Sequence, residues 1–171
     1  MRLHNELLKQ ARLLTNPQPD WPEQADLRRA VSTAYYALFH LLTAETATLF
    51  EADPTVAAAI GRRLDHGMRK EVSKSFAADK LPATHRTVFG PQLQSTAADP
   101  LKRVAETFST MQDARHEADY DPTRTYTRND AVVLVELTEK AVADWASVRE
   151  TDLARLYLRC FFLWEKWNKE R

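Results

Sequence analysis

At 171 residues the chain is long enough for one domain with a single sizeable core. Its 24 basic and 24 acidic side chains cancel, which excludes a global basic field and requires any RNA site to be a local patch. With 44% hydrophobic residues, 28% charged residues and only 3 glycines, the composition is that of a soluble, globular, helical protein, since a β-rich chain of this size would normally need more glycine in its turns. No apolar run is long enough to span a bilayer, and Met1-Arg2-Leu3-His4 leads into an amphipathic segment, not a signal peptide. The expected compartment is therefore the cytoplasm, without membrane association. A lone Cys160 excludes an intramolecular disulfide, and inside an apolar run it reads more often as a small core residue than as a nucleophile.

In chain order, Leu3, Leu7, Leu8, Ala11 and Leu14 mark a short first helix, which ends before Asn16-Pro17-Gln18-Pro19 because the prolines cannot continue it. Pro22 sits where a first-turn proline is tolerated, and a second helix is expected from there to Phe50. Its stretch from Asp26 to Leu42 has two busy faces. Leu27, Val31, Ala34, Leu38 and Leu41 repeat at the spacing of a buried stripe, while Ala30, Ala34 and Ala37 offer a small-residue face to a close neighbour. This predicts the central helix of the fold, with Tyr35 and Tyr36 in the core and Arg28, Arg29 and His40 as polar tips.

Asp53-Pro54 is a cap followed by a first-position proline, opening a third helix through Val56, Ala59, Ile60, Leu64, Met68, Val72 and Phe76. Gly61 and Gly67 weaken that helix by up to about 1 kcal/mol each relative to alanine. Between Asp79 and Ala98 the periodicity fails; Pro82, Gly90 and Pro91 punctuate a long loop that Val88, Phe89 and Leu93 pin to the body, either a lid or partner surface or a variable connection. Asp99-Pro100 repeats the cap-plus-proline start, and Leu101, Val104, Ala105, Phe108 and Met111 carry a fourth helix toward Pro122. Thr127-Arg128-Asn129-Asp130 matches a capping box ahead of Val132, Val133, Val135, Leu137 and Ala141.

No Gly or Pro interrupts Asp130 to Arg171, so the fifth helix is expected to continue unbroken through Leu153, Leu156, Tyr157, Cys160, Phe161, Trp164 and Trp167. A segment that long outruns a domain of this size, and its aromatic stripe is expected to pack on a second copy or a partner. The sum is an all-α, mostly antiparallel four- to five-helix bundle in a single domain, 1–171, with a core at about 23–146 and residues 147–171 as a C-terminal helical extension.

Two strings carry a resemblance. Arg28-Arg29-Ala30-Val31-Ser32-Thr33-Ala34-Tyr35-Tyr36-Ala37-Leu38-Phe39-His40 resembles the central-helix signature of the HEPN superfamily. Arg115-His116-Glu117-Ala118-Asp119-Tyr120-Asp121-Pro122 resembles the R...ADYDP string that ends the fourth helix in one bacterial branch of it, and His66-Gly67 sits where that branch often has a His-Gly or His-Ser pair. Order and spacing agree over roughly Glu23 to Ala146.

The resemblance implies a HEPN-type RNA-binding protein or metal-independent endoribonuclease, a toxin–antitoxin or phage-defence component acting as a homodimer or higher homo-oligomer. It also implies an antitoxin or a nucleotidyltransferase as partner. Active members of the superfamily use an Arg-x(4–6)-His motif at the end of the fourth helix: the guanidinium stabilises the phosphorane and the imidazole moves protons. Here Arg115 is present, but Tyr120 stands five residues later and the nearest histidine is His116. Helix neighbours point about 100° apart, so Arg115 and His116 are not expected to converge. A phenol, with a reference pKa of about 10, is a poor general base at neutral pH but a fair donor to phosphate.

The implied catalytic group is thus Arg115, Tyr120 and His116, and the RNA- or nucleotide-binding group is Arg115, Asp119, His66, Arg62 and Arg28. The alternative is a non-catalytic interaction or scaffold module. In that reading Arg115 and Asp119 form an ordinary i, i+4 ion pair, Tyr120 packs across the bundle, and His40 and His66 are satisfied helix histidines. No metal or other cofactor is expected. His116-Glu117 begins like a zinc-binding HExxH, but Tyr120 occupies the second ligand position, no Glu precedes a His by three residues as a di-iron bundle needs, and there is no glycine-rich phosphate loop.

Overall fold

A computed structural model describes residues 3–16, 21–50, 53–62, 66–78, 80–81, 90 and 98–169. These residues form an all-α bundle without strands: α1 (Leu3–Leu14), α2 (Gln24–Phe50), α3 (Pro54–Gly61), α4 (His66–Ala77), α5 (Ala98–Tyr120), α6 (Arg128–Val148) and α7 (Asp152–Lys169). None of the described helices is long and apolar enough to cross a membrane. The chain divides into two compact units, Met1–Leu41 with Thr107–Val142 and Leu42–Glu106 with Ala143–Arg171. The long helices α2, α5 and α6 each contribute residues to both.

In the first unit the expected stripe of α2 is buried throughout: Leu27, Val31, Ala34, Leu38 and Leu41, together with Ala30 and Ala37. α2 and α5 run antiparallel. Tyr35 meets Phe108 with ring centroids 5.8 Å apart, and nearer the other end of the pair Ser32 donates to Asp119 Oδ2 at 3.3 Å. Along α1, Arg12 reaches Glu136 at 3.2 Å and pairs with Glu139, both on α6. Arg128 at the start of α6 donates to Thr15 O at 3.0 Å and Asn16 Oδ1 at 2.7 Å, so α1 and α6 are antiparallel as well. The capping box is reciprocal: Asp130 N–H donates to Thr127 Oγ1 at 3.1 Å and Thr127 N–H to Asp130 Oδ2 at 2.8 Å.

In the second unit the single third helix expected from Asp53 to Phe76 is instead two. Asp53 does cap the first of them, accepting from Thr55 and Val56 N–H at 2.8 and 3.2 Å. That helix stops at Gly61, where a Cβ would stand 3.0 Å from Thr43 Cγ2, and α4 restarts at His66. The helix-weakening glycine and its close contact with α2 explain the stop. Leu64 and the loop residues Val88, Phe89 and Leu93 lie outside the described residues.

The continuous fifth helix is also overturned. It ends at Val148, and Thr151 begins α7: its hydroxyl accepts from Ala154 N–H at 3.2 Å, with Asp152 in the first turn. A threonine cap followed by an acid needs no glycine or proline to break a helix. The break lets α7 fold back, antiparallel to α4. Leu153, Leu156, Tyr157, Cys160, Phe161 and Trp164 are all buried within the chain, so these positions of the expected stripe are covered by the chain's own residues; the Trp167 side chain lies outside the described residues.

Tyr157 is the centre of that contact. Its ring packs on Phe76 and Phe161 at 5.0 and 4.8 Å, and its hydroxyl lies 2.7 Å from Ser73 Oγ. Because Ser73 gives its only hydroxyl proton to Arg69 O at 2.6 Å, Tyr157 is the donor in this pair. Burial pushes its pKa up, so it stays protonated. Arg69, fully buried, donates to Thr43 Oγ1 at 2.8 Å and lies 5.7 Å from the Phe161 centroid.

Tyr157→Phe should cost about 1 kcal/mol in denaturant unfolding, and Tyr157→Ala about 3–5 kcal/mol. Deleting residues 149–171 should abolish the near-ultraviolet circular dichroism of the second unit's aromatics. For Asp130, the hydrogen bonds from Thr127, the backbone N–H first, lower the carboxyl pKa. A lowered folded-state pKa gives stabilisation that is present above the unfolded value of about 3.9 and lost as pH falls through the folded one. The melting-temperature gap between wild type and Asp130→Asn should accordingly shrink as pH drops from neutral to about 3.

Candidate functional site

The Asp119-Tyr120-Asp121-Pro122 stop is built by three fastenings. Asp121 precedes a proline, which disfavours further helix, and its carboxylate accepts from the Thr123 hydroxyl and N–H at 2.6 and 2.8 Å. Those bonds, the hydroxyl's first, hold its carboxyl below the usual range. Arg28, on α2, donates to Ala118 O and Asp121 O at 2.8 Å each and also to Arg124 O. A positive fork thus occupies the carbonyls that a helix C-terminus leaves unpaired. Gln24 adds a two-way bond to the Tyr126 backbone, 2.6 Å to its carbonyl and 2.9 Å from its N–H.

One turn back from this end, Arg115 is gripped on several sides. Its Nε lies 2.7 Å from Asp119 Oδ2 and its Nη2 donates to Tyr36 Oη at 2.9 Å. The guanidinium carbon is 5.5 Å from the Tyr36 ring centroid and 5.2 Å from that of Tyr120. Burial works against the charge, but Tyr36 and Asp119 outweigh it and keep the pKa above the ordinary arginine value. Arg115 is therefore a fixed, permanent cation.

Tyr120 does not pack across the bundle as a plain helix end would have it: 63% of it is exposed. Its ring meets Arg115 on one contact and the exposed His116 on another, at 5.1 Å between centroids. Adjacent residues that diverge by about 100° are thus joined through an aromatic ring one turn later. The Arg115–Asp119 ion pair is present, but it is one contact among several.

Tyr36 differs from the expectation of a core residue as well. Tyr35 is fully buried, whereas Tyr36 is half-buried, and besides holding Arg115 it lines an open groove of about 490 Å³. Leu3, Leu7 and Gln10 of α1 form one wall, and Arg29, Thr33, Tyr36 and His40 of α2 the other. The α2 residues recur every three or four positions, a period visible in the sequence; that α1 stands opposite them was not.

The structure therefore brings Arg115, His116, Asp119 and Tyr120 together, with Tyr36 and Ser32 as partners that sequence reasoning missed. Arg28 lies beside them, engaged with the carbonyls of the helix end. Arg62 and His66 belong to the second unit: Arg62 is exposed just past α3, and His66 opens α4 with a side chain outside the described residues. Cys160 is buried, and burial pushes its thiol up to about 12, which makes it a core residue and not a nucleophile. Among the described residues, no group of three or more His, Cys, Asp or Glu side chains is placed to hold a metal ion. No protein-family model, curated protein or solved structure matches the chain.

Arg28→Ala leaves three carbonyls without their cationic donor and should destabilise the fold by about 1.5–3 kcal/mol in a urea titration. Cys160 should resist an aromatic disulfide reagent at pH 8 in the native protein and react at once in guanidinium chloride.

Proposed function

We propose that the protein is a HEPN-type RNA-binding module that contacts single-stranded RNA through Arg115, His116 and Tyr120. The observation that carries this reading is the exposed Tyr120 ring flanked by a fixed guanidinium and an imidazole. An aromatic face beside a cation suits an unstacked base next to its phosphate, and such stacking is worth about 1–3 kcal/mol per base. The resemblance of the α2 and α5 strings to the HEPN superfamily supports RNA as the ligand and a toxin–antitoxin or phage-defence setting. Arg115 positions phosphate and Tyr120 stacks. For metal-independent cleavage, His116 is the group of this cluster suited to moving a proton to or from the 2′-hydroxyl.

A second reading, a non-catalytic interaction module, is favoured by one observation: Arg115 Nε and Nη2 are already engaged by Asp119 and Tyr36. One set of measurements separates the two. Labelled single-stranded RNA is titrated with wild type, Arg115→Ala and Tyr120→Ala, and the same mixtures are assayed for cleavage in EDTA. RNA binding through this surface predicts roughly tenfold weaker affinity for Tyr120→Ala with an unchanged thermal melt, since its ring is exposed. Affinity should also fall steeply with salt. Cleavage that survives EDTA, is lost in Arg115→Ala and leaves 2′,3′-cyclic phosphate ends would add catalysis. Absence of binding by the wild type, with a lowered melt for Arg115→Ala, would establish the interaction module instead.

A further inference from the structure

The α1–α2 groove has a chemical character of its own. Its volume of about 490 Å³ lies within the range of small-ligand sites, about 300–1,000 Å³. Among the described residues no carboxylate lines it, so none of the described lining residues would attract a cationic ligand or repel an anionic one. Among the described lining residues Arg29 alone carries a full positive charge; it is exposed and has no ion pair with another described residue, in contrast with Arg115. Farther along α2, the Tyr36 and His40 rings stand 6.3 Å apart, tilted by 33°. Gln10 and Thr33 add a carboxamide and a hydroxyl, and Leu7 an apolar floor. From Arg29 to His40 the helix rises about 16 Å at roughly 1.5 Å per residue, room for a base, a ribose and a phosphate in line.

We infer that this groove is a nucleotide subsite, in which Tyr36 and His40 face the base, Gln10 and Thr33 hydrogen-bond to polar edges of the base or ribose, and Arg29 takes the phosphate. The choice of a nucleotide over other planar anions rests on the RNA reading of the Arg115 surface. Tyr36 joins the two: its ring lines the groove while its hydroxyl accepts from Arg115. The occupant is either one residue of a bound RNA strand or a free nucleoside monophosphate; the recognising chemistry is the same.

The test is calorimetric titration of the full chain with the four ribonucleoside monophosphates, adenosine and inorganic phosphate. It is paired with anisotropy of a labelled single-stranded oligoribonucleotide, for wild type, Arg29→Ala and Leu7→Trp, which fills the groove. Arg115→Ala is included for the oligonucleotide only. Arg29 is exposed, so its variant should fold even if Leu7→Trp does not, and thermal melts check both. A nucleotide subsite predicts at least tenfold weaker binding in Arg29→Ala and in any folded Leu7→Trp. If the loss is seen with monophosphates, the source is a free nucleotide; if it is seen only with the oligonucleotide, the source is an RNA strand. Oligonucleotide binding that both groove variants leave within twofold, with no monophosphate bound, would overturn the subsite while a loss in Arg115→Ala still upheld the RNA surface. Monophosphate binding without oligonucleotide binding would overturn the RNA reading and leave the groove a free-nucleotide site.

Discussion

Arg28 fixes the register on which the first unit depends. By donating to the carbonyls of Ala118, Asp121 and Arg124 it fastens the end of α5 to the start of α2. Two antiparallel helices in fixed register then pair their residues in order. Two such pairs follow, Ser32 with Asp119 and Tyr36 with Arg115. A change of one residue in the pairing would turn Tyr36 about 100° away from Arg115 and dismantle the cluster, since each helical residue advances by that angle.

The polar groups of this ladder divide by their surroundings. Arg28 is spent on backbone carbonyls and acts by positioning, while Arg115 sits between two rings and a carboxylate, where Tyr36 and Asp119 keep it charged against partial desolvation and hold it still. A guanidinium held in place loses less conformational entropy when it meets a phosphate. Tyr120 and His116 remain at the surface.

The second unit solves a different problem. Its polar groups are inside: Tyr157 donates to Ser73 and Ser73 to the backbone carbonyl of Arg69, whose guanidinium donates to Thr43, while the Tyr157 ring packs on Phe76 and Phe161. Buried donors and acceptors of this kind are costly when unmade, so the chain specifies one packing of α4 on α7. That packing buries Tyr157, Phe161 and Trp164 of the C-terminal stretch, which by composition alone resembles an interface.

Local signals were legible in the sequence wherever a few neighbouring residues decide the outcome. The buried stripe and small-residue face of α2, the Asp53 cap, the Thr127–Asp130 capping box and the helix stop at Asp121-Pro122 depend on spacing and on side chains reaching their own backbone, and all were predictable from periodicity and capping chemistry. The split of the third helix was half visible in Gly61, but needed Thr43 of another helix to make it decisive. The break before α7 was missed because a threonine cap signals itself only through the hydrogen bond it makes. What faces what was decided by tertiary structure alone: Tyr36 turning out to hold Arg115, Tyr120 lying open to solvent, α1 forming the far wall of the groove, and Tyr157, Phe161 and Trp164 of α7 being covered from within. The physical reason is that periodicity states which residues share a face, whereas the identity of the opposing face depends on contacts between segments tens of residues apart, which no local pattern encodes.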